Sequence, residues 1–500
     1  MPELSTILAG LGDAFSLQTL VFVLFGVITG QFVGAVPGIG PVMAMAIAIP
    51  FTFGFDALAG IGFLVGVTTG GLVGGAIPAV LLNTPGTPDA AATALDGYPL
   101  ARQGKPLKAT KMALFSSVTG DTFSDIVLIT VSAPLAVLAL RMGPVEVLGL
   151  MMLAFAVIAG LMGSSLSKGF IAAALGLLCA MVGTDPEHAT PRLFFGWYEL
   201  YDGLPLPAVA IGMLAIAELL NRLSQSGGGV RAAVTMPDHQ SAADKRVSWA
   251  EYWACRYTIA RGAVIGTILG ALPGIGSTAA AFMSYASARQ ASRDPGSFGK
   301  GSLHGIAAAE SANSSVMGAN MIPLLTLGIP GNVSAALIIS AFMIHGVQPG
   351  PFLFEQQGRL IYGLFGAMII ANAMNLLVGQ IGLRLWVRVV SAPESFIFST
   401  ALLMCFVGVY LASGGIFGIG VMLAFAVLAF VMNAFGFSVV VFIIAFFLGP
   451  RLEISLSQTL ALLDGHPLRL LDYPFGLLLM ALALATGVYL ARRRQFDTPD

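Results

Sequence analysis

Long apolar runs, each near the length of a bilayer crossing, fill most of the chain and are separated by short polar clusters. The first, Leu17 to Gly34, breaks at Pro37-Gly38 and resumes from Pro41 to Phe53. A second, Leu58 to Leu82, ends in Asn83-Thr84-Pro85-Gly86-Thr87-Pro88-Asp89. The order then returns: Ala263 to Gly270, a break at Pro273-Gly274, resumption from Ser277, and Leu303 to Leu327 ending in Gly328-Ile329-Pro330-Gly331-Asn332. Proline removes a backbone donor and glycine admits angles closed to other residues, so no helix passes through these points unchanged. The remaining runs predict scaffold helices over Met112 to Leu140, Val145 to Met162, Leu166 to Val182, Ala208 to Leu220, Leu360 to Leu383, Phe396 to Leu411 and Phe475 to Leu490. The stretch Ile416 to Leu448 is split into two crossings near Asn433 and Gly436, and Thr184 to Pro207 and Pro450 to Tyr473 read as long loops.

The two halves match residue by residue. Gly34 to Gly40 reads Gly-Ala-Val-Pro-Gly-Ile-Gly and Gly270 to Gly276 reads Gly-Ala-Leu-Pro-Gly-Ile-Gly. Gly60-Ile61, Ile77-Pro78, Pro85-Gly86, Gln103 and Pro106 recur as Gly305-Ile306, Ile322-Pro323, Pro330-Gly331, Gln348 and Pro351. The chain therefore divides into a first membrane repeat, 1–222, a polar cytoplasmic connector, 223–251, and a second repeat, 252–500. Positive charge sets their orientation. Arg102, Lys105, Lys108 and Lys111 follow the first Pro-Gly-Thr element, whereas its counterpart has no basic residue before Arg359. Before the first break there is only Glu3 and Asp13; before the second stand Arg222, Arg231, Lys245, Arg246, Arg256 and Arg261. Both comparisons predict inverted repeats with re-entrant, Pro-Gly-broken helices. Arg492, Arg493 and Arg494 place the C-terminus in the cytoplasm.

Composition fixes the class. The 500 residues are 57% hydrophobic and 10% charged, with a mean hydropathy of +0.88, against about 25% charged in soluble domains. An all-α polytopic membrane protein with about ten to twelve transmembrane helices is expected. A net charge of −1 and the lack of a basic face exclude a nucleic-acid partner. Cys179, Cys255 and Cys405 form no CxxC pair and read as apolar filler. No basic region precedes the first apolar run, so no cleavable signal peptide is expected. Gly299-Lys300 has Asp294 where a P-loop needs glycine, and the five histidines form no HExxH, so no ATP site or metalloprotease motif is present.

The breaks carry the candidate chemistry. Each new helix start exposes unpaired amides and the positive end of a helix dipole, which together favour an anion. Pro37, Gly38, Gly40, Asn83, Thr84, Pro85, Gly86, Thr87, Pro273, Gly274, Gly276, Ser277, Pro330, Gly331 and Asn332 are accordingly the candidate substrate-binding residues. Opposite helix ends offer carbonyls suited to Na⁺, with hard oxygens from Asn83, Thr84, Asn313, Ser314 and Ser315. Ionisable residues inside apolar helices are costly and functional by default. Glu310, and Asp121 with Asp125 one turn further along the same helix, are the candidates for coupling to a proton or Na⁺. Asp89 is read as a helix-capping carboxylate.

At these same residues the chain resembles the large membrane subunit of the tripartite tricarboxylate transporters, the TctA family. The resemblance is carried by Gly34 to Gly40, by Gly70 through the Asn83-to-Pro88 motif to Asp96-Gly97-Tyr98-Pro99, and by Glu310-Ser-Ala-Asn313 leading to Leu327-Gly-Ile-Pro330-Gly331. It implies a bacterial inner-membrane permease that works with a small membrane subunit and a periplasmic solute-binding protein delivering a carboxylate. An ion gradient, Na⁺ or H⁺, would drive uptake, with no other cofactor. A tricarboxylate such as citrate, or a di- or monocarboxylate, is the expected substrate. An integral-membrane enzyme and a passive anion channel are the alternatives.

Overall fold

A computed structural model describes residues 3–36, 40–162, 165–185, 189–225, 244–389 and 394–496. The first half is built from α1 (Leu4–Ala14), α2 (Leu17–Gly34), α3 (Pro41–Ala48), α4 (Ala57–Leu82), α5 (Ala90–Arg102), α6 (Pro106–Ala139), α7 (Pro144–Met162), α8 (Leu166–Ala180), α9 (Leu206–Ile211) and α10 (Ala217–Gln225). One π-helical turn, Gly212–Ile216, joins the last two. The second half comprises α11 (Trp249–Ala254), α12 (Arg256–Gly270), α13 (Gly276–Gln290), α14 (Leu303–Leu327), α15 (Val333–Ile344), α16 (Leu353–Gln356), α17 (Gly358–Val389), α18 (Glu394–Ala412), α19 (Ile416–Ala434), α20 (Val439–Leu463) and α21 (Pro474–Phe496). The described residues are almost wholly helical, apart from a two-residue antiparallel pairing of Gly183–Thr184 with Pro191–Arg192. Among them six helices are long and apolar enough to cross a membrane unaided, and shorter apolar helices accompany these. The protein is a multi-pass, all-α membrane protein.

The core is a paired arrangement. α4 and α14 are enclosed along nearly their whole length, and every residue from Leu58 to Val80 and from Gly305 to Thr326 is buried. α2 packs along α4, and α12 along α14. The halves also exchange contacts: α14 lies against α6, and α4 against α17. Small residues make the approach close. A Cβ on Gly74 would stand 2.7 Å from the Gln31 carbonyl and 3.0 Å from the Ala35 amide, so the α2–α4 backbones touch where any side chain would part them. The exchange extends to the flanks. α1 packs on α17 through Asp13 and Arg359, at 2.6 and 2.8 Å, and α11 meets α6 through Lys108 and Glu251 and through Tyr252 and Thr119. Exposed Trp253 and Tyr257 carry Arg256 over their rings there and exposed Trp249 stacks on Trp253, the aromatic and basic mixture of a membrane interface.

The split in the 416–448 stretch falls at Phe435 to Ser438, between α19 and α20, where Ser438 caps the new helix at Val441. The loop expected from Pro450 to Tyr473 is corrected: α20 runs through Pro450 to Leu463. The charges that end its apolar run are matched at long range, Glu453 by Arg192, and Arg451 by the Pro349 carbonyl at 3.1 Å. One proline removes a single ladder bond, which packing offsets. Most of the connector, 226–243, lies outside the described residues.

The Asp96-Gly97-Tyr98-Pro99 motif acts as a strap between halves. The wholly buried Asp96 carboxylate accepts the amides of Gly299, Gly301 and Ser302 at 2.8–2.9 Å and the Tyr285 hydroxyl at 2.9 Å, tying α5 to the loop that enters α14. Removing a buried acceptor strands its donors, at about 1–3 kcal/mol for each group left unpaired. Asp96→Ala is therefore expected to lower stability by several kcal/mol, read as a fall of several degrees in the thermal midpoint of the detergent-solubilised protein; an unchanged midpoint would contradict the strap.

Candidate functional site

Four helix starts meet at one cavity of about 680 Å³. Gly40 and Pro41 bring α3, Thr87 to Asp89 bring α5, Gly276 to Thr278 bring α13, and Asn332 to Ser334 bring α15. Each start is set by local chemistry. Pro41 opens α3 at the position where its missing N–H costs nothing. Thr87 Oγ1 accepts the Ala90 amide at 3.3 Å. Asn332, in extended backbone, caps α15 by accepting the Ala335 amide at 2.8 Å. Gly276 begins α13 at φ 74°, a conformation glycine adopts without strain.

The breaks are also joined to their surroundings. The Gly274 amide donates to the Gly331 carbonyl at 2.9 Å, linking the two breaks of the second half. The Gly86 amide donates to the Gly75 carbonyl at 3.3 Å, and a Cβ at Gly86 would lie 2.9 Å from both the Gly34 carbonyl oxygen and the Gly75 Cα. Non-helical backbone is thus paired within protein, as the membrane interior demands.

The cavity collects Gly40, Pro85, Gly86, Thr87, Gly276, Ser277, Asn332 and Asn313 from the residues singled out in the sequence. Asn313, 1% exposed, has neither side-chain amide atom paired within the protein, so one donor and one acceptor are offered at the cavity wall. Glu310, one turn away on α14 and fully buried, accepts from the Thr93 hydroxyl at 2.5 Å through Oε1, while Oε2 has no protein partner. Other candidates are placed elsewhere. Asn83 and Thr84 are exposed at the end of α4, with Asn83 in the left-handed conformation at φ 53°. Ser314 pairs with Ser117 at 2.5 Å and Ser315 donates to the Gly120 carbonyl at 2.8 Å, so both face α6. Asp121 and Asp125 sit on α6, away from the cavity lining. Pro273, Gly274, Pro330 and Gly331 support the lining without joining it, and Pro37 and Gly38 lie outside the described residues.

Asp89 is the correction. It occupies the N-cap position of α5 but makes no capping bond, because its backbone is already helical at φ −72°, ψ −35°, and Thr87 receives the amide instead. Its carboxylate is buried at the cavity, beside the hydroxyls of Thr87 and Ser277. The Pro88-Asp89 pair signalled a helix start but not the direction of the side chain. Glu218 of α10 also lines the cavity, a residue the sequence reading did not select. Among the described lining residues there is no lysine, arginine or histidine.

Comparison with known proteins places these features in a family. Residues 20–444 match the model of the tripartite tricarboxylate transporter TctA family, and the chain belongs to that family. It is 30% identical over 491 residues to the "Uncharacterized 52.8 kDa protein in TAR-I ttuC' 3'region" of Agrobacterium vitis, covering 98% of this chain and 96% of that protein. It is also 32% identical over 219 residues to the "Uncharacterized protein in TAR-II ttuC' 3'region" of the same organism, 44% of this chain and 90% of the relative. No solved structure matches.

Loss of a buried hydrogen-bonding side chain that meets a charged ligand costs about 1.5–3 kcal/mol. Asn313→Ala is expected to lower uptake of the transported solute by the complete transporter about tenfold or more, with membrane yield unchanged, whereas Thr130→Ala, an exposed hydroxyl bonded only to its own helix, leaves it within twofold. Equal uptake in the two variants would remove Asn313 from the site.

Proposed function

We propose that this chain is the large permease subunit of a three-component transporter that takes up a small organic carboxylate across the bacterial inner membrane, driven by a Na⁺ or H⁺ gradient. The carboxylate is citrate or another tri-, di- or monocarboxylate. A periplasmic solute-binding protein delivers it, and a small membrane subunit completes the complex. Membership of a tripartite transporter family supports the assembly.

The observation that carries the reading is the meeting of four helix N-termini on a cavity without a fixed cation. The dipole ends of α3, α5, α13 and α15 favour a carboxylate, and the first-turn amides of α3, α13 and α15 offer it donors with the Ser277 and Thr278 hydroxyls beside them, those of α5 being bonded to Thr87, Pro88 and Asp89. The same wall carries the buried carboxyl of Asp89, so a substrate anion arriving while that group is charged would meet like charge. A proton or cation entering with the substrate removes that conflict. Electrostatics thus makes co-transport the natural mechanism, and Glu310 and Asn313 at the edge of the cavity are the proposed coupling groups.

The exchanged packing of the halves fits a two-fold relation between repeats, and the loop charges make that relation inverted in this reading, so that the two hairpin pairs enter from opposite faces and rock about the shared cavity. The C-terminus is assigned to the cytoplasm on its arginines.

Uptake into proteoliposomes holding both membrane subunits, with the binding protein added, tests the reading. Accumulation above equilibrium should require an inward Na⁺ or H⁺ gradient and fall at least tenfold when both are collapsed. Equilibration without accumulation would favour a passive channel, and accumulation unaffected by collapsing both gradients would exclude ion coupling.

A further inference from the structure

Away from the cavity, the middle of α6 holds two buried carboxylates on one face, Asp121 and Asp125, 3% and 1% exposed. Asp125 Oδ2 accepts from the Asn372 amide of α17 at 2.8 Å. Its Oδ1 has no partner, and neither has Asn372 Oδ1, on a residue only 2% exposed. The Thr69 hydroxyl of α4 stands beside Asp121, and the two carboxylates face each other closely enough to repel. Among the described residues no cationic side chain reaches either carboxylate. α14 closes the group with a residue that has no side chain: a Cβ at Gly318 would stand 2.5 Å from Asp125 Oδ1 and 2.6 Å from Ser124 Oγ. Around it the amides are committed elsewhere. Asn375 Nδ2 donates to the Thr69 carbonyl at 3.1 Å, and Gln31 Nε2 to Asn375 Oδ1 at 2.6 Å.

The group is rich in oxygen acceptors and poor in donors. One proton would satisfy one lone pair, leaving the unpaired carboxylate and amide oxygens in hydrocarbon-like surroundings, where each costs free energy. A small cation satisfies several at once and offsets the repulsion between the carboxylates. The ligands are hard oxygens from two carboxylates, one amide and one hydroxyl. Ca²⁺ takes six to eight oxygens and Mg²⁺ retains several waters in a strict octahedron, so neither suits so small and dry a set.

We propose that Asp121, Asp125, Asn372 and Thr69 form a Na⁺ site, separate from the substrate cavity and bridging the two halves of the chain. The proposal rests on the ion-driven reading above for its purpose but not for its chemistry. α14 connects the two places: Gly318 closes the ion site, and Asn313, Val316 and Met317 line the cavity. An ion that ties α6, α4 and α17 together would fix the surface on which α14 packs at Gly318, and so bias the wall that the substrate meets.

Binding of ²²Na⁺ to the purified full-length protein, by scintillation proximity, tests this directly. The wild type should bind Na⁺ saturably, with excess unlabelled Na⁺ but not K⁺, Mg²⁺ or Ca²⁺ competing. The isosteric Asp121→Asn and Asp125→Asn should each weaken binding tenfold or more, and Gly318→Ala, which leaves every ligand in place, should do so by crowding Asp125. Asp13→Asn, which alters an exposed ion pair, should keep affinity within twofold. Circular dichroism establishes that each variant is folded. No saturable Na⁺ binding by the wild type, affinity within twofold in both aspartate variants, or competition by Mg²⁺ or Ca²⁺ would overturn the site. Because the readout is binding and not uptake, loss of gradient-driven transport with this binding intact would count against the transport reading alone.

Discussion

Backbone that leaves the helix inside a bilayer must find its hydrogen bonds within the protein, and this requirement shapes the molecule. The Gly274 amide meets the Gly331 carbonyl, so the two interruptions of the second half pair with each other. In the first half the Gly86 amide meets the Gly75 carbonyl, and Thr87 closes the start of α5. Such pairing needs backbones within touching distance. The glycines of α2 and α4 provide that distance, and α4 and α14 are buried end to end as a result. Four helix starts, two of them capped by Thr87 and Asn332, are gathered on one cavity.

The site that results is unusual in its charge. An anion is offered dipole ends, amides and hydroxyls, yet the only ionisable side chains on the described lining are acidic. In the proposed reading, binding and charge compensation are separate tasks: the helix ends meet the anion, while Glu310 with Asn313, and on another face of α14 the pair Asp121 and Asp125, answer a small cation or proton. α14 is common to all of them, and its small residues, Gly318 among them, let it lie against α6 without a spacer.

Much of this was legible in the residues. Leu17–Gly34 and Leu303–Leu327 form helices at the bounds their apolar runs predicted, because in a membrane protein hydropathy and helix length follow the same constraint. The Pro-Gly breaks announced themselves for the same reason. Direction was not legible. Asn83 and Thr84 directly follow the end of α4 and are exposed, while Thr87 and Asp89, only a few residues on, line the cavity. Asp89 has the composition of a cap but a backbone already helical. Pro450 and its charged neighbours looked like a loop because their partners, Arg192 and the Pro349 carbonyl, lie far away in sequence. In each case a long-range contact decided what a local pattern left open.

The most direct measurement of the central claim is substrate protection at all four helix starts. Single cysteines at Gly40, Thr87, Ser277 and Asn332, in a chain freed of Cys179, Cys255 and Cys405, would be labelled with a small thiol reagent in the assembled transporter, with and without citrate, succinate or acetate. One convergent site predicts that whichever carboxylate is transported slows labelling at all four positions together, with the same concentration dependence. Protection confined to one half of the chain, or labelling indifferent to a carboxylate that the same preparation transports, would contradict it.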